Sequence, residues 1–161
     1  MIYRIKEKLW SFGDAFTITD ENEKAVFQVK EELFSWGKQL YLLDLQGNEL
    51  AFIKQKLFSF KPTYHIYIAD NLFAEIRKEF SWFNKTFTMD IPGPNDYLIE
   101  GSFWKHDYKF CRKAGVVAAV SKKMFSWTDS YAVQINDGEN TLSILCACIV
   151  IDQVLHDEKN S

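Results

Sequence analysis

A short aromatic-Ser-aromatic motif returns along the chain at nearly constant spacing, and no other feature constrains the fold as strongly. It reads Trp10-Ser11-Phe12, Phe34-Ser35-Trp36, Phe58-Ser59-Phe60, Phe80-Ser81-Trp82 and Phe125-Ser126-Trp127. The serines stand 24, 24, 22 and 45 residues apart, and the last interval spans two periods with a degenerate copy, Gly101-Ser102-Phe103-Trp104, inside it. Several copies follow a Lys and an apolar residue, as in Lys8-Leu9, Lys56-Leu57 and Lys123-Met124. Five triplets at one spacing mark an internal repeat, which requires a fold built of like units.

Halfway between the motifs lies a second series of signals, all of turn chemistry. They are Asp20-Glu21-Asn22, Gln46-Gly47-Asn48, Asp70-Asn71, Pro92-Gly93-Pro94-Asn95-Asp96, Lys113-Ala114-Gly115 and Asn136-Asp137-Gly138. Gly, Asn and Asp tolerate the positive φ of tight hairpins, and Pro pre-sets a turn. The segments between these marks alternate: Tyr64, Ile66 and Ile68 share one face, as do Phe87, Met89 and Ile91, Val116, Ala118 and Val120, and Tyr131, Val133 and Ile135. Alternation with hairpin turns means antiparallel sheet with one buried face. Each repeat is then strand, tight turn, strand, and six repeats over 1–138 make about twelve strands. Independent blades are the competing architecture, but two strands are too few to build a blade.

The C-terminal segment breaks this pattern. From Thr141 to Ile151 there is neither alternation nor a turn residue, and Asn140 or Thr141 can cap a helix over 140–156. Such a helix is apolar around its whole circumference, which suits burial on every side or insertion in lipid. Its unbroken apolar run, 144 to 151, falls far below the roughly 20 residues that span a bilayer. Burial is the expectation, although the β-branched run also suits a buried strand. A closed antiparallel barrel of about twelve strands has a lumen wider than its own side chains fill, and a central helix would fill it.

Composition bounds the rest. The 161 residues fit one domain, 1–161, with a core that needs no metal or disulfide. Fourteen Phe, seven Tyr and five Trp against seven Gly and three Pro lean toward sheet. Nineteen basic against 22 acidic residues argue against a nucleic-acid partner. Three cysteines, with Cys146 and Cys148 two apart on a helix, make a disulfide framework an unsuitable reading and a reducing compartment the better one. Charges occupy the N-terminus where a signal peptide carries its apolar region, so a cytoplasmic location, no transmembrane segment and a monomer are expected.

Hairpin repeats through 1–138 followed by a hydrophobic helix at 140–156 resemble the tubby C-terminal-like fold, and most of all its small bacterial LURP-one-related members. The wider group includes tubby proteins, which bind phosphoinositides, and phospholipid scramblases. The resemblance implies the barrel with its central helix, and it covers almost the whole chain by layout and not by a catalytic motif. No segment matches tubby's basic phosphoinositide pocket, and the cysteine-rich lipidation stretch and proline-rich leader of scramblases are absent. No functional residue is carried over.

Nothing in the sequence announces catalysis: there is no Gly-rich phosphate loop, Gly-x-Ser-x-Gly elbow or His-Glu-x-x-His. His65, His106 and His156 have no ligand spacing, so neither a metal nor another cofactor is expected. The repeat's serines are expected to satisfy backbone groups while their aromatic neighbours pack into the core, and Cys146 and Cys148 to behave as small apolar residues. Basic clusters remain: Lys54, Lys56 and Lys61; Lys122-Lys123; and Lys105, Lys109, Arg112 and Lys113. The last is the candidate contact for an anion or lipid, if the four share one rim. A non-catalytic binding or adaptor domain, directed at anionic lipid or at another protein, is the function expected. An enzyme or small-molecule carrier with a pocket invisible in the sequence is the alternative.

Overall fold

A computed structural model describes residues 1–6, 15–32, 36–80, 85–93, 96–122 and 130–160. Twelve strands and one helix occupy them in order: β1 (Ile2–Lys6), β2 (Phe16–Asp20), β3 (Ala25–Glu31), β4 (Gln39–Leu43), β5 (Glu49–Gln55), β6 (Thr63–Ile68), β7 (Asn71–Phe80), β8 (Lys85–Asp90), β9 (Tyr97–Ser102), β10 (Asp107–Arg112), β11 (Gly115–Ser121), β12 (Ser130–Ile135) and α1 (Thr141–Lys159). Each strand pairs antiparallel with the next, and β12 closes on β1 with Ile2 opposite Gln134 and Lys6 opposite Ser130. Closure leaves no strand edge for another chain to extend.

The turns expected at half-period are the hairpins of one end. Asp20 Oδ1 accepts from the backbone N–H groups of Asn22 and Lys24, and Asp44 Oδ1 accepts from those of Gln46 and Asn48. Two repeats thus build the same Asp-anchored turn, the short carboxylate replacing a backbone acceptor. Register shifts recur beside these turns in β2–β3, β4–β5, β6–β7 and β10–β11, and such bulges add the twist that a closing sheet needs. The sixth turn signal, Asn136-Asp137-Gly138, joins β12 to α1 instead of making a hairpin. This end, where the helix begins, is the entry end.

Inward-facing residues follow the period of two: Ile5, Ile18, Val29, Leu40 and Leu42, Ile53, Ile66, Ile76, Phe87 and Met89, Ile99, Phe110, Val120 and Val133 are all buried. They surround α1, which begins at the entry end with Asn140 as cap, its side chain accepting from Ser143 N at 2.8 Å. Nineteen residues make a helix about 28 Å long, so its last turn reaches the opposite mouth, the exit end. Leu145 and Ile149 are 0% exposed and Val150 1%. α1 packs against β5, β6, β7 and β12, where Ala51 and Ala74 leave room for it.

One glycine is dictated by a close approach. Gly101, in β9, has φ +141, and a Cβ there would meet Asp107 O at 2.5 Å and Tyr108 Cα at 2.6 Å. Both atoms are backbone or nearly so and cannot give way, which explains why the degenerate repeat carries Gly where other copies carry an aromatic.

Filling the lumen is the condition for the barrel, because interiors pack at crystal-like density. Ile149→Ala is expected to lower unfolding free energy by about 2–5 kcal/mol in urea titration. Ile149→Asp should prevent cooperative folding, since the charge has no partner there. Chain ending before Thr141 should be insoluble or molten by near-ultraviolet circular dichroism; near-native cooperative unfolding of that fragment would show the helix to be dispensable.

Candidate functional site

Strands running antiparallel put every second connection at the exit end. The described parts are residues 32 and 36–38 between β3 and β4, 56–62 between β5 and β6, and 103–106 between β9 and β10. They carry the repeated motif, and the motif does not pack as expected. Phe58 and Phe60 are 103% and 105% exposed, Trp36 84%, and Phe80, the last residue of β7, 62%. Among the described motif aromatics only Phe103, from the degenerate copy, turns inward, edge-on to Phe87 at 4.9 Å. Trp10-Ser11-Phe12, Phe34-Ser35, Ser81-Trp82 and Phe125-Ser126-Trp127 lie outside the described residues.

The connection 56–62 is held by its polar atoms. Thr63 Oγ1 donates to Lys61 O at 2.8 Å, and the Ser59 hydroxyl bonds Thr63 Oγ1 at 3.0 Å. The repeat's serine therefore bonds a side-chain hydroxyl here instead of a backbone group. Phe58 sits at φ 57, a left-handed conformation costly for a bulky side chain, so the loop spends strain to point its ring outward. Gln55 Oε1 accepts from Lys38 N at 3.0 Å, and Leu57 Cδ2 lies where a Cβ on Gly37 would stand. These contacts bring Trp36 and Phe58 to the same rim.

Beneath this loop lies a cavity of about 400 Å³, between residues 55–64 and the last turns of α1. Its lining runs from the exposed Lys56, Leu57, Phe58 and Phe60, through the half-buried Lys61 and Asp157, to the buried Tyr64 and Val154. Tyr64 is 1% exposed, and its hydroxyl has no hydrogen-bond partner. Burial, and after it the charges of Asp157 and Glu31, push this phenol far above its ordinary range. Asp157 accepts from Gln153 Nε2 at 3.2 Å through Oδ1 alone. Glu158 is neutralised by Lys78, an inward lysine only 2% exposed, whose ammonium burial disfavours, with Lys85 nearby lowering its pKa further. Lys61 is bound to Glu79.

A second polar group faces the lumen. His106, in the β9–β10 turn at φ 49, stacks on Tyr131 at 4.4 Å, and its Nε2 lies 3.1 Å from Asp152 Oδ1. The Tyr131 hydroxyl donates to Asp152 Oδ2 at 2.5 Å. Burial and then Asp152 hold the Tyr131 phenol protonated far into alkaline pH, so it serves as a fixed donor. Cys146 and Cys148 are buried, and loss of solvent pushes both thiols up, against any nucleophilic use. Among the described residues no three His, Cys, Asp or Glu side chains converge as metal ligands.

The four candidate contacts are distributed along one hairpin and do not share a rim. Lys105 is exposed at the exit end, Lys109 faces outward in the middle of β10, and Arg112 and Lys113 stand at the entry end. The reason is the strand itself, since the six residues of β10 run roughly 20 Å from one mouth to the other. Arg112 is engaged: Nη1 donates to Glu139 Oε1 at 2.8 Å, Nη2 to the Tyr97 hydroxyl at 2.8 Å, and the guanidinium stacks on the Tyr97 ring at 4.5 Å. It holds the segment leading into α1.

The family described as LURP-one-related matches residues 1–152. The uncharacterized protein YxjI of Bacillus subtilis (strain 168) is 36% identical over 156 residues, covering 97% of this chain and 94% of that protein. The X-ray structure of a protein from Arabidopsis thaliana superposes with a TM-score of 0.68 at 14% identity, over 96% of this chain and 91% of that one. At that identity the likeness shows a shared fold. No helix among the described residues is long and apolar enough to cross a membrane.

Glu79 anchors the lysine at the cavity's side. Hydrogen bonds from Lys61 and then Arg77 hold its carboxyl down at about 2, against the ordinary 4.5. A carboxyl with a depressed folded-state pKa stabilises the fold above its ordinary value and stops doing so as pH falls through the folded value. Thermal melts should therefore show Glu79→Gln less stable than wild type above pH 4.5, the two converging as pH falls to about 2. A constant gap across that window would show that Glu79 stabilises by packing alone.

Proposed function

The chain belongs to the LURP-one-related family, and from that premise we propose that it is a non-catalytic binding domain that docks on anionic membrane surfaces through the exit end of its barrel. The observation that supports this is the outward display of the repeat's aromatics: Trp36, Phe58, Phe60 and Phe80 are all exposed at one mouth. Each such ring carries some 150–250 Å² that gains by leaving water, and large exposed apolar patches mark interaction sites. Rings on separate loop tips match a planar, deformable apolar layer better than they match a groove-filling peptide, and Trp in particular is suited to the lipid–water interface.

Charge supports the same orientation. Lys56, Lys85 and Lys105 are exposed among the rings, and each lysine near an anionic leaflet contributes about 1 kcal/mol. The entry-end turns carry Asp20, Glu21, Glu23, Asp44, Asp70, Asp96 and Asp137 against Lys24 and Lys113, whereas Glu32 and Asp107 are the exposed acids among the described exit-end residues. An anionic surface therefore repels the entry mouth more than the exit mouth, which biases how the barrel approaches. Of the four basic residues singled out in the sequence, Lys105 belongs to this surface.

Sedimentation with vesicles tests the reading. The protein is expected to pellet with phosphatidylglycerol–phosphatidylcholine vesicles, less at high salt because exposed charges are screened, and with a blue-shifted Trp emission. Phe58→Ser with Phe60→Ser should cut partitioning by about tenfold or more while leaving the melting temperature near wild type, since neither ring is buried. Absence of binding to any vesicle, or full binding by the double variant, would overturn it and leave a protein partner for the rim.

A further inference from the structure

The aromatic mouth borders a cavity whose lining runs from fully exposed rings to a buried, unpaired phenol. On the helix side stands the half-buried Asp157 carboxylate, with Oδ2 free of described partners, and on the strand side the buried, unpaired Tyr64 hydroxyl. Ammonium groups line it too, of which Lys56 is exposed and free of described partners. Phe58 and Phe60 are its exposed rings. Buried polar atoms are almost always paired, so the Tyr64 hydroxyl, on a residue 1% exposed, is a vacant hydrogen-bonding position. Because Lys78 neutralises Glu158, Asp157 is the carboxylate left to meet a cation.

We infer that the cavity between the β5–β6 connection and the end of α1 receives a phosphoethanolamine zwitterion, ammonium inward and phosphate outward. The primary ammonium donates to Asp157 and to the Tyr64 oxygen, both charge-assisted contacts stronger than neutral ones. The phosphate meets Lys56 at the mouth, and whatever the phosphate esterifies continues past Phe58 and Phe60 away from the barrel. The same polarity fits the head group of phosphatidylethanolamine in the bilayer touched by the rim, and in that form the inference rests on the membrane-docking reading. A trimethylammonium head fits less well, since it has no N–H to give to Asp157 or Tyr64. The volume, about 400 Å³, lies within the range of pockets that bind small molecules.

Two arms separate the soluble from the lipid-borne source. In the first, phosphoethanolamine is titrated calorimetrically into the full chain. Saturable one-to-one binding is expected, weaker for phosphocholine, and weakened about tenfold by Tyr64→Phe or Asp157→Asn. Tyr64→Phe removes one oxygen that has no partner in the fold, so its melting temperature should hold. In the second, vesicles keep a fixed phosphatidylglycerol fraction while phosphatidylethanolamine replaces phosphatidylcholine. Wild type should partition several-fold more strongly, and both variants should bind the two compositions alike. No titration and no head-group preference would overturn the pocket while leaving docking on phosphatidylglycerol intact. A preference that persists in both variants would also overturn it, pointing to lipid packing instead. Binding of soluble phosphoethanolamine without binding to any vesicle would uphold the pocket and remove the membrane.

Discussion

The structure depends on one constraint: twelve antiparallel strands enclose more space than their own inward side chains fill, so something apolar on every side must occupy the axis. α1 meets that requirement with Ile144 to Ile151, none of which is more than 1% exposed. The strands adapt in return, placing Ala51 and Ala74 on the walls that the helix touches. A hydrogen-bonded ring and an apolar plug thus stabilise one another, and neither has a stable surface without its partner.

A plug that crosses the whole barrel brings polar groups with it, and several of these are paired toward the mouths, while Gln153 Oε1 stays buried without a partner. At entry, Arg112, Tyr97 and Glu139 form a closed set of hydrogen bonds beside the helix cap. Toward exit, Asp152 is held by Tyr131 and His106, and Glu158 by Lys78. Burying a charge is tolerable only when it is paired and hydrogen-bonded, so these contacts fix how deep the helix sits and its rotation. The sets with catalytic-looking chemistry, an Asp with a His and a Tyr, are thereby engaged in holding the helix.

Among the described residues the exit mouth gathers exposed rings, a strained backbone and an unpaired phenol, while the Thr19 hydroxyl near the entry end is also buried without a partner. The aromatics of the connections have no opposite wall, Phe58 keeps an unfavourable φ, and the Tyr64 hydroxyl has no partner. Local conflicts of this kind collect where a fold meets something outside itself. The entry mouth has turns stapled by Asp20 and Asp44 and rich in acidic side chains, with Glu23, Ala69 and Asp70 also at positive φ.

The sequence by itself determined the periodic part of this protein: strand alternation, turn positions, a helix cap at Asn140 or Thr141 and the burial of Leu145, Ile149 and Val150 all depend on near neighbours, and local patterns report them. It also carried the aromatic-Ser-aromatic repeat, but not where its rings go, because a motif in a connection is buried or exposed according to walls built by other segments. The helix was legible to His156 and runs to Lys159, since residues after Ile151 look like an ending until His106, Tyr131 and Lys78 are seen to receive them. Lys105, Lys109, Arg112 and Lys113 read as one cluster in a line of text, yet a strand carries them from one mouth to the other. Tyr64 and Asp157 meet only because the helix returns through the barrel to the loop after β5. Those decisions belong to tertiary structure alone, for they depend on contacts between residues that the chain keeps far apart.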